Sequence, residues 1–299
     1  MSMKKLIVIV GPTSSKKTQL ALQLARDFNL PIINTDAFQV YKELNIGTNK
    51  PDKKTIKEYD IQLIDHISIY DEWNIAVFQK QAQRIIDKYH KEKKIPILVG
   101  GSNLYVDALI KNYDLSSSSK RSHDYEDLSN KQLHTLLSKL DKQEASRIPI
   151  NNRKRLIRAL QIIKETNQPK SKKDSQKHSY AYDCFIIYPE MDRKHLYDQI
   201  NQNVKAMINS GWKDEVIKLL NKDPNVFKLN AFKAIGYGDV YQAIINKKEI
   251  NIDEIAKRTR HYAKRQVTWC LNQYKNLFKY QKDVNNTHLQ QEIKKFLHD

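Results

Sequence analysis

The sequence predicts an α/β protein whose core is a parallel sheet of the P-loop nucleotide-binding type, with a helical insertion domain and a helical C-terminal part. Three observations support this class. Strand-like and helical patterns alternate over the first third of the chain, the first strand runs into a phosphate-loop pattern, and helical periodicity dominates after residue 115. The 299 residues suffice for a large core and a smaller domain.

Apolar runs predict the strands of the first third. Leu6–Val10 is an unbroken run of leucine and β-branched residues, which is typical of a strand buried on both faces. Pro31–Thr35 and Ile95–Val99 are the second and third candidates. Helical spacing of apolar residues over Gln19–Phe28 and Val77–His90 places helices between these strands.

The composition changes at Leu115–Lys120, where consecutive serines indicate a solvated linker. Two helical stripes follow, formed by Leu133, Leu136, Leu137, Leu140 and by Leu156, Ala159, Leu160, Ile163. Lys170–His178 is polar and basic, and we expect it to be mobile. Cys184–Tyr188 returns to a strand-like pattern, so we predict a discontinuous core of residues 1–115 and 180–299 with a helical insertion domain, residues 116–179.

The charge balance points to an acidic partner. The formal net charge is +18 at pH 7, which favours binding to a nucleic acid backbone. A generally lysine-rich proteome would give the same excess without such a partner.

Cysteine usage and the absence of long apolar stretches bear on localisation. Cys184 and Cys270 lie far apart, so a disulfide framework or a structural zinc site is not expected and a reducing compartment fits. The apolar run at the start ends at Gly11, too early for a signal peptide, and no later stretch approaches a membrane span. We expect a cytoplasmic monomer with no membrane partner.

A phosphate loop follows the first strand and opens a helix, and its residues are Gly11, Pro12, Thr13, Ser14, Ser15, Lys16, Lys17 and Thr18. In a Walker A loop, backbone N–H groups bind phosphate oxygens, the lysine adds a positive charge and the hydroxyl of the last residue ligates Mg²⁺. Lys16 stands where the pattern has glycine. The alternative is a basic turn that starts an ordinary helix.

Further segments appear in a fixed order along the chain. They are Thr35-Asp-Ala-Phe-Gln-Val-Tyr41, Asn45-Ile-Gly-Thr-Asn-Lys-Pro51, Leu63-Ile-Asp65, Val99-Gly-Gly-Ser-Asn-Leu-Tyr105, Arg155-Leu-Ile-Arg-Ala-Leu160, Ala234-Ile-Gly-Tyr237 and Thr259-Arg-His-Tyr-Ala-Lys-Arg-Gln266 with Thr268-Trp269. In this order they resemble the tRNA dimethylallyltransferase family over residues 5 to 272.

The resemblance implies transfer of a dimethylallyl group from dimethylallyl diphosphate to the exocyclic amine of the adenosine immediately 3′ of the anticodon in tRNA. It implies that the phosphate loop binds the diphosphate with Mg²⁺, with Thr18 as the metal ligand. Asp36 matches the family's general base, and Gln39 matches the residue that reads the flipped-out adenine. Ser102 matches a family threonine near the reacting centre.

The resemblance also implies where tRNA is contacted, and it assigns tRNA contact to the helical insertion domain, residues 116–179. The implied contacts are Asp36, Ala37, Phe38, Gln39, Ser102, Lys154, Arg155 and Arg158. The chemistry is consistent with this assignment, because a carboxylate can accept the proton of an adenine amine, and a phosphate loop stabilises the charge of a leaving diphosphate. The base must leave its stack to reach such a pocket.

Three residues depart from the family pattern. Lys16 and Asn103 replace small residues, and Gln199 replaces an arginine that helps to hold the diphosphate in the family. Two other functions stay open. One is a tRNA-binding pseudoenzyme of the same fold, which Lys16 and Gln199 motivate. The other is a P-loop nucleotide kinase, because a phosphate loop alone does not name a substrate.

Each candidate residue also has a purely structural interpretation. Asp36 could cap a turn, Ser102 could cap a helix, and Gln39 and Tyr41 could be surface residues. The Arg155 and Arg158 pair could form a solvated helix face. Lys264 and Arg265 fit structural ion pairs and tRNA contact equally well, and we expect Tyr262 and Trp269 in the core.

Overall fold

The computed structural model describes residues 3–115, 124–175 and 179–299. Within these residues, five parallel strands form one sheet in the order β2-β3-β1-β4-β5. The strands are β1 Lys5–Ile9, β2 Ile32–Asn34, β3 Ile97–Val99, β4 Asp183–Pro189 and β5 Leu277–Tyr280. The sheet confirms the predicted fold class.

The helices follow the strands in the alternating order predicted. They are α1 Lys17–Phe28, α2 Lys53–Glu58, α3 Ile75–Lys91, α4 Asn103–Ile110, α5 Asn130–Leu140, α6 Lys142–Arg147, α7 Arg153–Thr166, α8 Lys170–Ser175, α9 Arg193–Asn209, α10 Trp212–Lys222, α11 Tyr237–Ile245, α12 Ile252–Gln273 and α13 Lys282–His298, with short 3-10 helices at Val226–Lys228 and Asn230–Lys233. None of the helices in the described ranges has the length and apolar composition that a bilayer crossing requires.

Strand β1 occupies the centre of the sheet and shows why the core forms. Its side chains alternate between two apolar clusters, with Leu6 and Val8 on one face and Ile7 and Ile9 on the other. All four are fully buried. A strand that is covered by helices on both faces needs an unbroken apolar sequence, so this run identified β1 correctly.

The chain separates into two compact units. One consists of Met1–Ile110 together with Tyr180–Asp299, and the other is Lys111–Ser179. The amide of Ala181 donates to the carbonyl of Ile110 at 2.8 Å, so the core resumes beside the residue at which it breaks off. The predicted boundary between residues 115 and 116 lies five residues after Ile110, the last residue of the first segment of the core unit.

The second unit has its own small core. Leu133 and Leu137 of α5 pack with Leu156 and Leu160 of α7, and all four are fully buried. Leu140, predicted on the same stripe, is 46% exposed because α5 ends there and the chain turns at Asp141. The helical character of this unit agrees with the predicted stripes.

One local prediction is wrong. The C-terminal part is not purely helical, because Leu277–Tyr280 forms β5 and pairs with β4 from Ile186 to Pro189. Within the segment that we expected to be mobile, Lys170–Ser175 forms α8, where the Ser171 amide donates to Asp141 and Lys170 pairs with Glu144. The predicted serine linker 116–119 and residues 176–178 lie outside the described ranges.

Candidate active site

The loop Gly11–Thr18 leaves the carboxyl end of β1 and enters α1. The carbonyl of Pro12 is its internal anchor, since it accepts from the Ser15 hydroxyl at 2.8 Å and from the Lys17 ammonium at 2.5 Å. Lys16 is the N-cap of α1 and no side chain caps this helix start. The N–H groups of the first turn therefore lack a side-chain cap and are available to an anionic ligand.

Lys17 is the buried cation of this loop. Burial lowers the pKa of Lys17 from 10.5 to about 8, and the negative charge of Asp36 offsets part of this effect. A diphosphate near the ammonium would favour its charged form, because an opposite charge at short range stabilises it. Binding of an anionic ligand should therefore raise the pKa of Lys17 again.

The phosphate loop opens into a cleft of about 510 Å³, a size that suits small ligands. The predicted site residues that line it are Thr13, Ser14, Lys16, Lys17, Thr18, Asp36 and Gln39. Gly11, Pro12 and Ser15 are buried behind them. The cleft therefore joins the anion-binding loop to a candidate base in one cavity.

Asp36 follows β2 and lines the same cleft as the phosphate loop. Its Oδ1 accepts from the amides of Phe38 at 2.9 Å and Gln39 at 3.2 Å. The turn-capping interpretation is therefore correct for this oxygen. The other oxygen, Oδ2, lies on the side of Gly101, where a Cβ would come within 3.4 Å of it. Oδ1 fixes the turn, and Oδ2 accepts no hydrogen bond from the residues that the structure describes, so it can contact a ligand.

Ser102 supports this turn from behind. Its Oγ accepts from the amide of Ala37 at 2.9 Å, and it lies one residue beyond the cleft wall formed by Gly100 and Gly101. Gly100 has to be glycine because a Cβ would come within 2.4 Å of the Thr35 hydroxyl. The structure thus places Ser102 as a support for the Asp36 turn.

Gln39 lines the cleft with a defined amide orientation. Its Nε2 donates to the carbonyls of Thr48 at 3.0 Å and Asn49 at 3.3 Å. Because carbonyls only accept, the Oε1 atom points away from them and can accept from a ligand. Its neighbour Phe38 packs on the core, and Tyr41 is 1% exposed, so the surface interpretation of Tyr41 is wrong.

Glu215 of α10 holds the segment that Gln39 contacts. Its Oε2 accepts from the amides of Asn45 at 2.9 Å and Ile46 at 2.8 Å, and its Oε1 accepts from the Tyr237 hydroxyl at 2.7 Å. Burial and this carboxylate raise the pKa of Tyr237. Gly47 passes so close to Trp212 that a Cβ would overlap its ring. Sequence patterns did not reveal this support, because it joins residues far apart in the chain.

Comparison of the sequence with known proteins relates this chain to one family. The sequence profile described as IPP transferase matches residues 39–273. A tRNA dimethylallyltransferase from Malacoplasma penetrans is 41% identical over 298 residues, which cover 99% of each chain. The chain belongs to the IPP transferase family. A second relative of the same name, from Mycoplasmoides gallisepticum, is 38% identical over 95% of this chain and 94% of its own.

Solved structures of the family share the fold. The tRNA delta(2)-isopentenylpyrophosphate transferase of Staphylococcus epidermidis is 31% identical, with a TM-score of 0.71 over 98% of this chain and 99% of its own. A eukaryotic dimethylallyltransferase acting on tRNA gives a TM-score of 0.83 at 27% identity, over 97% of this chain and 77% of its own.

Gln199 stands beside the phosphate loop. It lines the cleft, and its Nε2 donates to Asn203 Oδ1 at 3.3 Å. Asn203 in turn donates to the Ser14 hydroxyl at 2.9 Å. Ser14 has a φ of 66°, so this contact supports a left-handed residue. Neutral amides thus occupy the wall where the family pattern has an arginine.

Helix α12 also contributes residues to the cleft wall. Tyr262 and Gln266 line it, so Tyr262 is not a core residue. Trp269 is half-buried and donates to Asp107 at 3.0 Å. Lys264 and Arg265 are exposed, and neither forms an ion pair within the part of the chain that the structure describes. The ion-pair alternative for these two residues therefore has no support.

The predicted RNA contacts of the second unit lie on one helix. Lys154, Arg155 and Arg158 belong to α7, which begins after the Asn152 cap. Lys154 and Arg155 are exposed and Arg158 is half-buried. Exposed cations near a helix start are not required by helix electrostatics, so their placement suits contact with an external anion.

Thr18 is the candidate metal ligand. No group of three or more His, Cys, Asp or Glu side chains converges among the described residues. Mg²⁺ commonly uses one or two protein ligands and completes its shell with phosphate oxygens and water. The half-buried hydroxyl of Thr18, at the end of the phosphate loop and on the cleft wall, therefore fits this ion.

Proposed function

We propose that this chain transfers the dimethylallyl group of dimethylallyl diphosphate to the exocyclic amine of the adenosine immediately 3′ of the anticodon in tRNA. The observation that carries the proposal is that the phosphate loop and the carboxylate of Asp36 line one cleft. Family membership supports it, since relatives are named tRNA dimethylallyltransferase.

The chain's own residues account for the binding of the donor. Lys17 and the first-turn amides of α1 bind the diphosphate, and Lys16 adds a second positive charge at the cleft wall. Thr18 would hold Mg²⁺ together with diphosphate oxygens, and the ion would supply further charge neutralisation for the leaving group.

The transfer step then follows from the two sides of the cleft. The amine nitrogen forms a bond to the allylic carbon while the carbon–oxygen bond to diphosphate breaks, and the electron pair leaves on the diphosphate oxygen. Asp36 accepts the proton released from the amine through the carboxylate oxygen that does not cap the turn. Gln39 presents an acceptor oxygen that orients the adenine.

The binding of tRNA involves both units in this proposal. The Asp36–Gln39 turn contacts the extruded base, and Lys154, Arg155 and Arg158 contact the backbone. The net charge of +18 supports such contacts. We further propose that the protein acts as a monomer, without a membrane.

The test is incubation of unmodified tRNA with the protein, dimethylallyl diphosphate and Mg²⁺, followed by mass spectrometry of the nucleosides. We expect a dimethylallyl mass increase on one adenosine next to the anticodon. Bound but unmodified tRNA would instead favour the pseudoenzyme, and phosphate transfer from ATP to a nucleotide without any isoprenoid would favour the kinase.

A further inference from the structure

Gln266 of α12 joins two loops of the cleft through its side-chain amide. Its Oε1 accepts from the backbone amide of Thr13 at 2.8 Å, and its Nε2 donates to the carbonyl of Gly101 at 2.7 Å. The side chain is buried, with 3% exposure. The amide orientation is fixed because an N–H only donates and a carbonyl only accepts.

The two loops belong to opposite sides of the proposed reaction. Thr13 is part of the phosphate loop, which would hold the donor. Gly101 precedes Ser102, whose hydroxyl holds the amide of Ala37 next to Asp36. The contacts therefore run without a gap from the donor loop through Gln266 to the turn that carries the candidate base.

Local geometry shows that this bridge is a close fit. A Cβ on Gly101 would come within 3.0 Å of Gln266 Nε2 and 3.4 Å of Asp36 Oδ2. The Gly101 carbonyl also accepts from the Tyr262 hydroxyl at 3.0 Å, one turn earlier on α12. Asn103 donates to the Gln266 carbonyl at 3.3 Å, which ties the helix backbone to the same side.

The bridge also occupies one amide of the phosphate loop. The Thr13 amide donates to Gln266 and is therefore turned toward α12. The amides at the start of α1 have no side-chain cap. The side chain thereby fixes the position of the phosphate loop relative to Asp36 before either substrate binds.

We propose that Gln266 is a positioning residue that sets the distance between the donor carbon and the adenine amine. The proposal rests on the proposed function. Displacement of reacting groups by about 1 Å can cost about 10²-fold in rate. Loss of the bridge should therefore lower kcat while each loop still binds its own substrate.

The test compares Gln266→Met with wild type in the transfer reaction, with KM measured separately for dimethylallyl diphosphate and for tRNA. We expect kcat to fall by about 10–100-fold and both KM values to change by less than about threefold. Gln266→Glu, which retains an acceptor for Thr13 but no donor for Gly101, is the second variant if the methionine variant does not fold.

Gln79→Met is the matched control. Gln79 is also a buried glutamine of this unit, and it donates to the carbonyl of Ala108 at 2.7 Å, away from the cleft lining. This variant should lose stability while its kcat stays near wild type. A kcat of the Gln266 variants within threefold of wild type, or an equal fall in Gln79→Met, would overturn the positioning role. A wild-type protein that modifies no tRNA would reject the proposed function first.

Discussion

Replacement of Lys16 by glycine should have opposite effects on stability and on affinity for the diphosphate. Its backbone is left-handed, with φ 61° and ψ 23°, a conformation that costs a non-glycine residue about 1–2 kcal/mol. Glycine avoids this cost but loses more entropy on folding, by about 0.5–1 kcal/mol. Lys16→Gly should therefore raise the free energy of unfolding by about 1 kcal/mol.

The same substitution removes a cation from the cleft wall. Lys16 is exposed, so its attraction to a diphosphate lies near the aqueous value of about 1 kcal/mol at 4 Å. That corresponds to about a fivefold weaker Kd. Isothermal titration with dimethylallyl diphosphate and urea unfolding of the same protein measure the two effects.

Control variants separate the effect of the left-handed backbone on stability from the effect of the lysine charge on affinity. Lys93→Gly and Lys247→Gly replace exposed lysines with similar backbone, φ 57° and 51°, outside the cleft lining, so they should gain stability without changing the Kd. Lys16→Met should weaken binding without gaining stability. Gln199→Arg combined with Lys16→Gly should restore affinity, because the positive charge returns to the same wall. Tighter binding of dimethylallyl diphosphate by Lys16→Gly alone would refute the idea that Lys16 replaces the charge of the family arginine at position 199. It would favour the pseudoenzyme.

Three further predictions concern the base, the RNA-binding helix and the buried lysine. Asp36→Asn keeps an oxygen to cap the turn but removes the proton acceptor, so we expect turnover to fall by about 10²–10⁴-fold with tRNA affinity nearly unchanged. Steady-state kinetics and filter binding measure the two quantities. Near-wild-type turnover would exclude Asp36 as the base. Arg155→Ala with Arg158→Ala should make the salt dependence of tRNA binding shallower, by about one unit of log–log slope for each phosphate that is no longer neutralised; a wild-type affinity insensitive to salt would contradict the RNA-binding interpretation. The pKa of Lys17 is lowered from 10.5 to about 8 by burial, so between these pH values the unfolded chain binds more protons than the folded one and stability rises with pH. The unfolding free energy of the wild type minus that of Lys17→Met should rise by about 3 kcal/mol as the pH increases across this window. A pH-independent difference in urea titrations would show that the ammonium is not buried.

The elements that sequence could predict are those with strong local patterns. β1 has an unbroken apolar run, and α3 has a long apolar stripe, so both were found within two residues of their ends. β5 was missed because it is a short edge strand with an exposed Lys279 at its centre, and only its pairing with β4 makes it a strand.

The site divides in the same way. The phosphate loop and Asp36 follow directly after strands, so their meeting in one cleft could be predicted from the order of a parallel sheet. The bridge by Gln266 joins residues 253 positions apart, and Glu215 acts on amides about 170 positions away. No local pattern contains such long-range pairs, although the motif that ends at Gln266 marked the helix that carries it.

The discontinuity of the core has a consequence for synthesis on the ribosome. β1 pairs with β3 at residues 97–99 and with β4 from Asp183 onward, so the insertion emerges between its two partners. At about 5–20 residues per second, one edge of the most apolar strand stays open for on the order of 5–20 s. The insertion has its own compact cluster and needs no partner strand to form it. The length of the insertion therefore sets how long the nascent core is vulnerable to aggregation, in addition to any role in RNA binding.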